Sequence, residues 1–312
     1  MKPIHLIASA LLALSGALQA APIEVTHAQG VTVVPEAPQR TVVFDLATLD
    51  NLQALGVEQV AGIPDARLPA HLQSFGEGEV ARVGTLFEPD LEAVRALEPE
   101  LIVIAGRSAS SFQALSEIAP TIDLTASTDG FLADITRNLE TLGRIYGREA
   151  QAAARLAELE QGRQAVAEAA GDAKGLVLFT VNGNVIPHAP GARFGIVHDA
   201  LGLPSVLPAQ APETGPRPER GSPEAEAARK RQAEALAAGL AAEPEWLLVL
   251  DRGLATGGTD ASDLSTHPGV SASQAFQAGR VLKLDPPGWY LATGGFSVIR
   301  HTQQQLLERL GK

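Results

Sequence analysis

Apolar positions along the chain alternate between short unbroken runs and stretches spaced like one face of a helix. In the first half, residues 41–45 form a short apolar run that predicts a strand. Residues 46–55 carry apolar side chains at helical spacing, and Gly56 stops them. Residues 57–62 predict a second strand. Pro89-Asp90 opens a helix over 91–97, which Glu98-Pro99 ends. Residues 101–104 are apolar without a break, as in a parallel strand covered on both faces. A helix over 110–119 and a strand over 121–124 follow. This β-α-β-α order predicts an open parallel sheet with helices on both sides.

The second half repeats the theme. Residues 175–181 predict a strand, 193–201 a helix ended by Gly202, 235–240 a helix and 296–310 a final helix. One stretch echoes the first half closely. Glu98-Pro99-Glu100 precedes four apolar residues and then Arg107; Glu243-Pro244-Glu245 precedes five and then Arg252. The echo predicts two related lobes and not a tandem repeat. Between them, residues 132–170 are rich in Ala, Leu, Glu, Gln and Arg, with no proline; Gly143, Gly147 and Gly162 are the weak points. The expected organisation is an α/β protein: an N-terminal lobe over 23–142, a long rigid linking helix over 143–171 and a C-terminal lobe over 172–312. Some 25 helical residues would span nearly 40 Å, at about 1.5 Å each, and would limit closure between lobes. The proline-rich stretch 208–223 predicts a surface loop.

Residues 1–20 stand outside this pattern. Lys2 precedes an apolar stretch over 6–18, shorter than a membrane span, and small Ala20 and Ala21 follow. The segment reads as an export signal removed after Ala20, although Leu18 is larger than the usual alanine at its position. A buried N-terminal helix is the alternative; Ser15 and Gly16 interrupt it. A periplasmic location is expected, with free secretion as the alternative.

Composition narrows the chemistry. The chain has no cysteine, which excludes disulfides, thiolate metal sites, cysteine nucleophiles and a lipoprotein anchor. A net charge of −12 argues against a nucleic-acid binder. The histidines are scattered, with no pair at i,i+4 spacing, so no metal-binding array is expected; His188, flanked by prolines, is the one most open to a role. No G-x-S-x-G, Walker A, G-x-G-x-x-G or H-E-x-x-H motif is present, which favours a binding protein over an enzyme.

Ligands of open α/β sheets sit beyond the carboxyl ends of the strands. Arg107 and Arg252 occupy those ends, and Arg193 precedes a helix. Three convergent guanidiniums suit an anion, since each offers a planar fork of donors. The alternative is three surface arginines without a common target. Trp289-Tyr290 lies between Pro286-Pro287 and Gly294-Gly295, on an expected loop that presents a phenol to a ligand or packs Trp289 into the core.

In this order and spacing, the markers resemble the periplasmic substrate-binding proteins of iron–siderophore ABC importers. They comprise residues 41–45, residues 50–56, Pro89-Asp90-Leu91-Glu92, residues 99–103, Gly106-Arg107, Arg193-Phe194-Gly195, Asp251-Arg252 and Trp289-Tyr290-Leu291-Ala292 before Gly294-Gly295. The resemblance covers nearly the whole chain from residue 23 and is strongest to the ferric catecholate branch, which includes petrobactin-type binders. It implies two lobes bridged by a helix, with small closure motions. It implies no intrinsic cofactor and a ferric siderophore as ligand, held by an arginine triad, Arg107, Arg193 and Arg252, with Trp289 beside it. The tyrosine that can coordinate Fe(III) in this branch maps onto Tyr290, a hard oxygen donor. The histidine that usually accompanies it has no counterpart near residues 229–232. It also implies a monomer that docks an inner-membrane ABC permease through one acidic residue per lobe; Glu92 fits the first and Glu234 stands near the second. Haem, cobalamin or another chelate on the same fold is the alternative cargo, and an exported α/β hydrolase a more distant one.

Overall fold

The computed structural model describes residues 22–211 and 218–311. The expected export segment, and part of the expected surface loop, lie outside the described residues. An antiparallel hairpin, β1 (Ile23–His27) and β2 (Gly30–Val34), opens the first lobe. Its main sheet contains β3 (Thr41–Val43), β4 (Val60–Ile63), β5 (Ala81–Arg82), β6 (Leu101–Ile104) and β7 (Thr121–Asp123). All pairings are parallel, in the order β5-β4-β3-β6-β7. Helices α1 (Leu46–Ala54), α2 (Ser74–Glu77), α3 (Leu91–Ala96) and α4 (Phe112–Ser116) connect them.

Alternation along the strands explains the layers. Val42, Ile102 and Ile104 pack with Val94 of α3 and Leu115 of α4 on one face. Val43, Leu101 and Val103 point the other way, into a core shared with Leu49 and Leu52 of α1. That second core continues without interruption into the second lobe, through Val177, Leu248, Trp289 and Ile299.

Helices α5 (Phe131–Ile145) and α6 (Glu149–Ala170) link the lobes. The single helix expected over 143–171 is therefore two helices. Gly147, at φ +60°, turns the chain between them, a conformation glycine adopts without strain. The 22-residue α6 still spans about 33 Å.

The second lobe contains β8 (Gly175–Val181), β9 (Asn184–His188), α7 (Ile196–Leu201), α8 (Pro223–Ala241), β10 (Trp246–Asp251), α9 (Arg252–Ala255), α10 (Pro268–Ser271), α11 (Gln274–Gln277), β11 (Val281–Lys283), α12 (Pro286–Leu291) and α13 (Phe296–Leu310). Its sheet order is β11-β10-β8-β9. The edge strand β9 runs antiparallel to β8, which the hydrophobic pattern did not predict. Trp289 and Tyr290, expected on a loop, lie on the short helix α12. Asp285 caps that helix by accepting from the Gly288 N–H at 3.0 Å, with prolines in its first turn.

The last helix returns to the first lobe. Asp50, fully buried on α1, accepts from the backbone N–H groups of Ser297 at 3.0 Å and Val298 at 3.3 Å. Asn51 accepts from Phe296 N–H at 2.9 Å. Two adjacent side chains of the first lobe thus cap the N-terminus of the second lobe's final helix. A side chain at Gly295 would have its Cβ 2.2 Å from the Asp50 carboxylate. His71 approaches the same carboxylate at 3.2 Å. Farther along α13, Gln303 Nε2 donates to the carbonyls of Leu159 on α6 and Ala200 on α7.

Candidate functional site

The three arginines arrive by different routes. Arg107 follows β6 by three residues, Arg252 directly follows β10, and Arg193 sits in the turn before α7. They meet at Tyr290. The Arg107 guanidinium lies 5.7 Å from the ring centroid and donates to the Tyr290 carbonyl, tying the first lobe to α12. The Arg193 guanidinium lies 5.1 Å from the same centroid and 4.8 Å from that of Phe194. Arg252 Nε donates to the Tyr290 hydroxyl at 3.2 Å. Cations over ring faces are attracted by the ring quadrupole, so one phenol organises three like charges. Among the described residues, none of the three is within salt-bridge distance of a carboxylate.

Capping carboxylates support these positions. Asp251 caps α9, whose first residue is Arg252, by accepting from Leu254 N–H at 3.0 Å. It also accepts from Ser262 N–H and the Thr180 hydroxyl, each at 2.8 Å. Burial works against its ionisation, but these donors win and hold the carboxyl down near 2. Asp45 caps α1 through Thr48 and faces Arg107; burial raises its carboxyl above the usual range despite that neighbour.

The clustered charge shifts the ionisation of its members. Burial lowers Arg107, and the adjacent Arg193 lowers it further. Burial alone would raise the Tyr290 phenol. The hydrogen bond from Arg252 and the charges of Arg193, Arg252 and Arg107 outweigh it, leaving the phenol below its ordinary value.

An aromatic wall backs the phenol. Phe179 of β8 stacks parallel to Tyr290 with centroids 6.1 Å apart, and Phe194 tilts against it at 6.0 Å. His188, at the end of β9, meets Phe194 edge-on at 5.2 Å. Burial and the Arg193 charge push its imidazole down to about 4, so it is neutral near pH 7. The sequence singled out His188 but gave no sign that it lies behind Tyr290, because β9 was not foreseen. Nor did it flag Phe179, which reads as one more apolar strand residue.

A cleft of about 270 Å³ opens beside this cluster. Asp45, Leu86 and Arg107 line it from the first lobe, and Arg193, Phe194 and Thr293 from the second. The segment Thr125–Thr128, just after β7, adds hydroxyl groups to its wall. Among the described residues no cluster of three His, Asp or Glu forms a metal site. None of the described helices is long and apolar enough to cross a membrane.

Trp289, expected beside the ligand, is fully buried. It points away from the cleft and donates from its indole Nε1 to the Thr302 hydroxyl at 2.8 Å. The α12 helix sends adjacent side chains to opposite sides, Trp289 to the core and Tyr290 to the arginines. Glu92, second residue of α3, has an 89% exposed side chain and pairs with Arg95 at 2.9 Å. Glu234, in the interior of α8, is 65% exposed and lies 3.9 Å from Lys230.

Two α/β lobes on a helical bridge, with a cationic cleft at the strand ends, define a two-lobed binding protein. The chain belongs to the periplasmic binding protein family, whose model matches residues 42–287. It is 32% identical over 285 residues to the petrobactin-binding protein YclQ of Bacillus subtilis, covering 90% of this chain and 85% of that one. The crystal structure of YclQ superposes with a TM-score of 0.82 at 30% identity, covering 94% of this chain and 99% of that one. The ferric-anguibactin-binding protein FatB of Vibrio anguillarum is 26% identical over 290 residues, covering 89% and 84%. The expected fold class and family therefore hold, as does the expectation of a binding protein and not an enzyme.

Proposed function

We infer that this protein captures a ferric catecholate-type siderophore in the periplasm and delivers it, as a monomer, to an inner-membrane ABC permease. The observation that carries this reading is the convergence of Arg107, Arg193 and Arg252 on Tyr290 without a carboxylate partner among the described residues. A ferric catecholate spreads several negative charges over its oxygens. Guanidiniums donate to those oxygens without competing for the iron. The iron is cargo, and the protein needs no resident cofactor.

Tyr290 is the protein's own candidate donor to the metal. Phenolate oxygen is hard, as Fe(III) prefers, and the surrounding cations favour the ionised form. With a tetradentate siderophore it fills an open coordination position. With a hexadentate one it serves as a stacked, hydrogen-bonded anchor for the arginines. The neutral His188 stands behind the aromatic wall as a support for Phe194. Glu92 and Glu234 present the charges that meet the permease, one on each lobe.

Titration of the intrinsic tryptophan fluorescence tests the cargo. The panel is a ferric tetradentate bis-catecholate, a ferric hexadentate tris-catecholate, a ferric hydroxamate, haem and cobalamin. Submicromolar binding confined to the catecholates is expected. Binding only to haem or cobalamin, or to none, removes the siderophore reading and keeps the fold. In a bound bis-catecholate complex, Tyr290→Phe should shift the visible charge-transfer band; an unchanged spectrum leaves the phenol outside the iron shell.

A further inference from the structure

Phe87 is 62% exposed, the most exposed large apolar side chain among the described residues. It is not on a loose loop. Gly84 pairs antiparallel with Pro89, and Thr85 N–H donates to the Glu88 carbonyl at 2.9 Å. The Thr85 hydroxyl accepts from the N–H groups of Phe87 at 3.3 Å and Glu88 at 3.0 Å. Asp65 N–H donates to the Gly84 carbonyl at 2.6 Å, and Asp90 N–H to Val83 at 2.9 Å. Gly84, at φ +96°, has no room for a Cβ, which would stand 2.4 Å from the Asp90 nitrogen. A closed, doubly anchored turn therefore holds a phenylalanine in water, at the cost of its hydration.

Its surroundings say what it is for. Leu86, the preceding residue, is buried and lines the cleft, so the turn forms part of the cleft's rim. Glu88, Asp90 and Glu92 follow within five residues, all exposed, on the turn and the first turn of α3. Arg95 pairs with Glu92, and Arg82 is turned toward the Pro64 carbonyl. An aromatic side chain among carboxylates complements an apolar pocket rimmed by basic residues. Aromatic anchors enclosed by polar rims are the usual centres of protein–protein binding energy. The geometry points to Phe87 as the apolar anchor of a first-lobe docking surface for the importer's membrane subunit, with Glu88, Asp90 and Glu92 as its acidic rim. This rests on the importer reading above. It adds a coupling: a partner that grips Phe87 also pulls on Leu86, one residue away in the cleft wall.

Photo-crosslinking tests the surface without reference to cargo. A benzophenone amino acid is placed at Phe87 in the full chain in its native cells. A control places it at Val33, 55% exposed on the hairpin that packs against β7, at the opposite edge of the first-lobe sheet. An adduct from position 87 alone, identified as the membrane subunit of an ABC importer, is expected. An adduct with a second copy of this chain, the same adduct from both positions, or none, overturns the proposal. In the same cells Phe87→Ala should lower uptake of radiolabelled iron about tenfold, the loss of one interface anchor. Affinity for the ferric bis-catecholate should not change. Reduced affinity would make Phe87 a ligand contact, and unchanged uptake would make it idle; either overturns the docking role. A wild-type protein that crosslinks as expected but binds no ferric catecholate would overturn the cargo and leave the docking surface standing.

Discussion

The two lobes build the same corner and use it differently. In each, a non-glycine residue in the left-handed region ends a helix just before the proline: Glu98 at φ 46° and Glu243 at φ 52°. In each, the next glutamate donates its N–H across to the segment before the neighbouring strand, Glu100 to Arg40 at 2.8 Å and Glu245 to Lys174 at 2.9 Å. A buried interior strand then delivers an arginine to the cleft end of the sheet. There the likeness stops. Arg252 bonds the Tyr290 hydroxyl within its own lobe, whereas Arg107 reaches across to the Tyr290 backbone. The second sheet also carries the antiparallel β9, with His188, which the all-parallel first sheet lacks. The shared scaffold supplies Arg107 and Arg252; the aromatic surface beside them is built in the second lobe alone, from Tyr290 on α12, Phe179 on β8 and Phe194 before α7.

The largest expected effect breaks the link between the lobes. Asp50→Ala removes the acceptor for two backbone donors on α13 and leaves His71 beside no carboxylate at that place. It should cost about 3–5 kcal/mol in chemical unfolding, as for removing one partner of a buried charged contact. A loss below ~1 kcal/mol would show that the cap contributes little.

Next come the arginines. Arg107→Ala, Arg193→Ala and Arg252→Ala should each weaken a ferric catecholate by about 1.5–3 kcal/mol, the range for a charge-assisted hydrogen bond. Equal losses at Arg107 and Arg252 would mean that the two corners act alike on the ligand. A destabilised free protein with Arg107→Ala only would show that its bond to Tyr290 serves the fold as well.

Individual histidines should also differ in their response to acid, and not simply by lobe, since burial lowers His27 of the first lobe too. Burial holds His188 and His198 of the second lobe at about 4, against 6.5 unfolded. The unfolded chain therefore binds more protons between those values, and stability contributed above pH 6.5 is lost as pH falls toward 4. His71 of the first lobe runs the other way. Burial lowers it, but Asp50 and Asp285 raise it above its ordinary value overall. Its contribution is full below 6.5 and is lost as pH rises through the folded pKa. His188→Gln and His198→Gln should flatten the acid limb of a stability profile, and His71→Gln should not.

The smallest effect is spectroscopic. The chain has two tyrosines. Tyr146 is buried and strongly raised, despite its hydrogen bond with Thr41; Tyr290 is lowered. Ultraviolet titration of the folded protein should show one phenol ionising below pH 10, and Arg252→Ala should move that step upward. A single step for both tyrosines would discard the phenolate argument.

Much of this was legible in the sequence. Unbroken apolar runs located the parallel strands, since a strand covered on both faces has no polar side to show. The Glu-Pro-Glu echo located Arg107 and Arg252, because the corner that presents them is built locally. Three things were hidden. The split between α5 and α6 depends on the φ of Gly147, one of three glycines that looked alike. The place of His188 behind Phe194 depends on an edge strand too short and mixed to give a period. The direction of Trp289 depends on whether 286–291 coil, which two prolines disguised as a loop although prolines also suit a first helical turn.

The cap joining Asp50 to α13 also has a meaning in time. In synthesis, residues 50 and 51 emerge some 245 residues before their backbone donors, residues 296–298. Until then the first lobe must keep a carboxylate hydrated that its finished core would bury. Its closure therefore waits for residues 296–298.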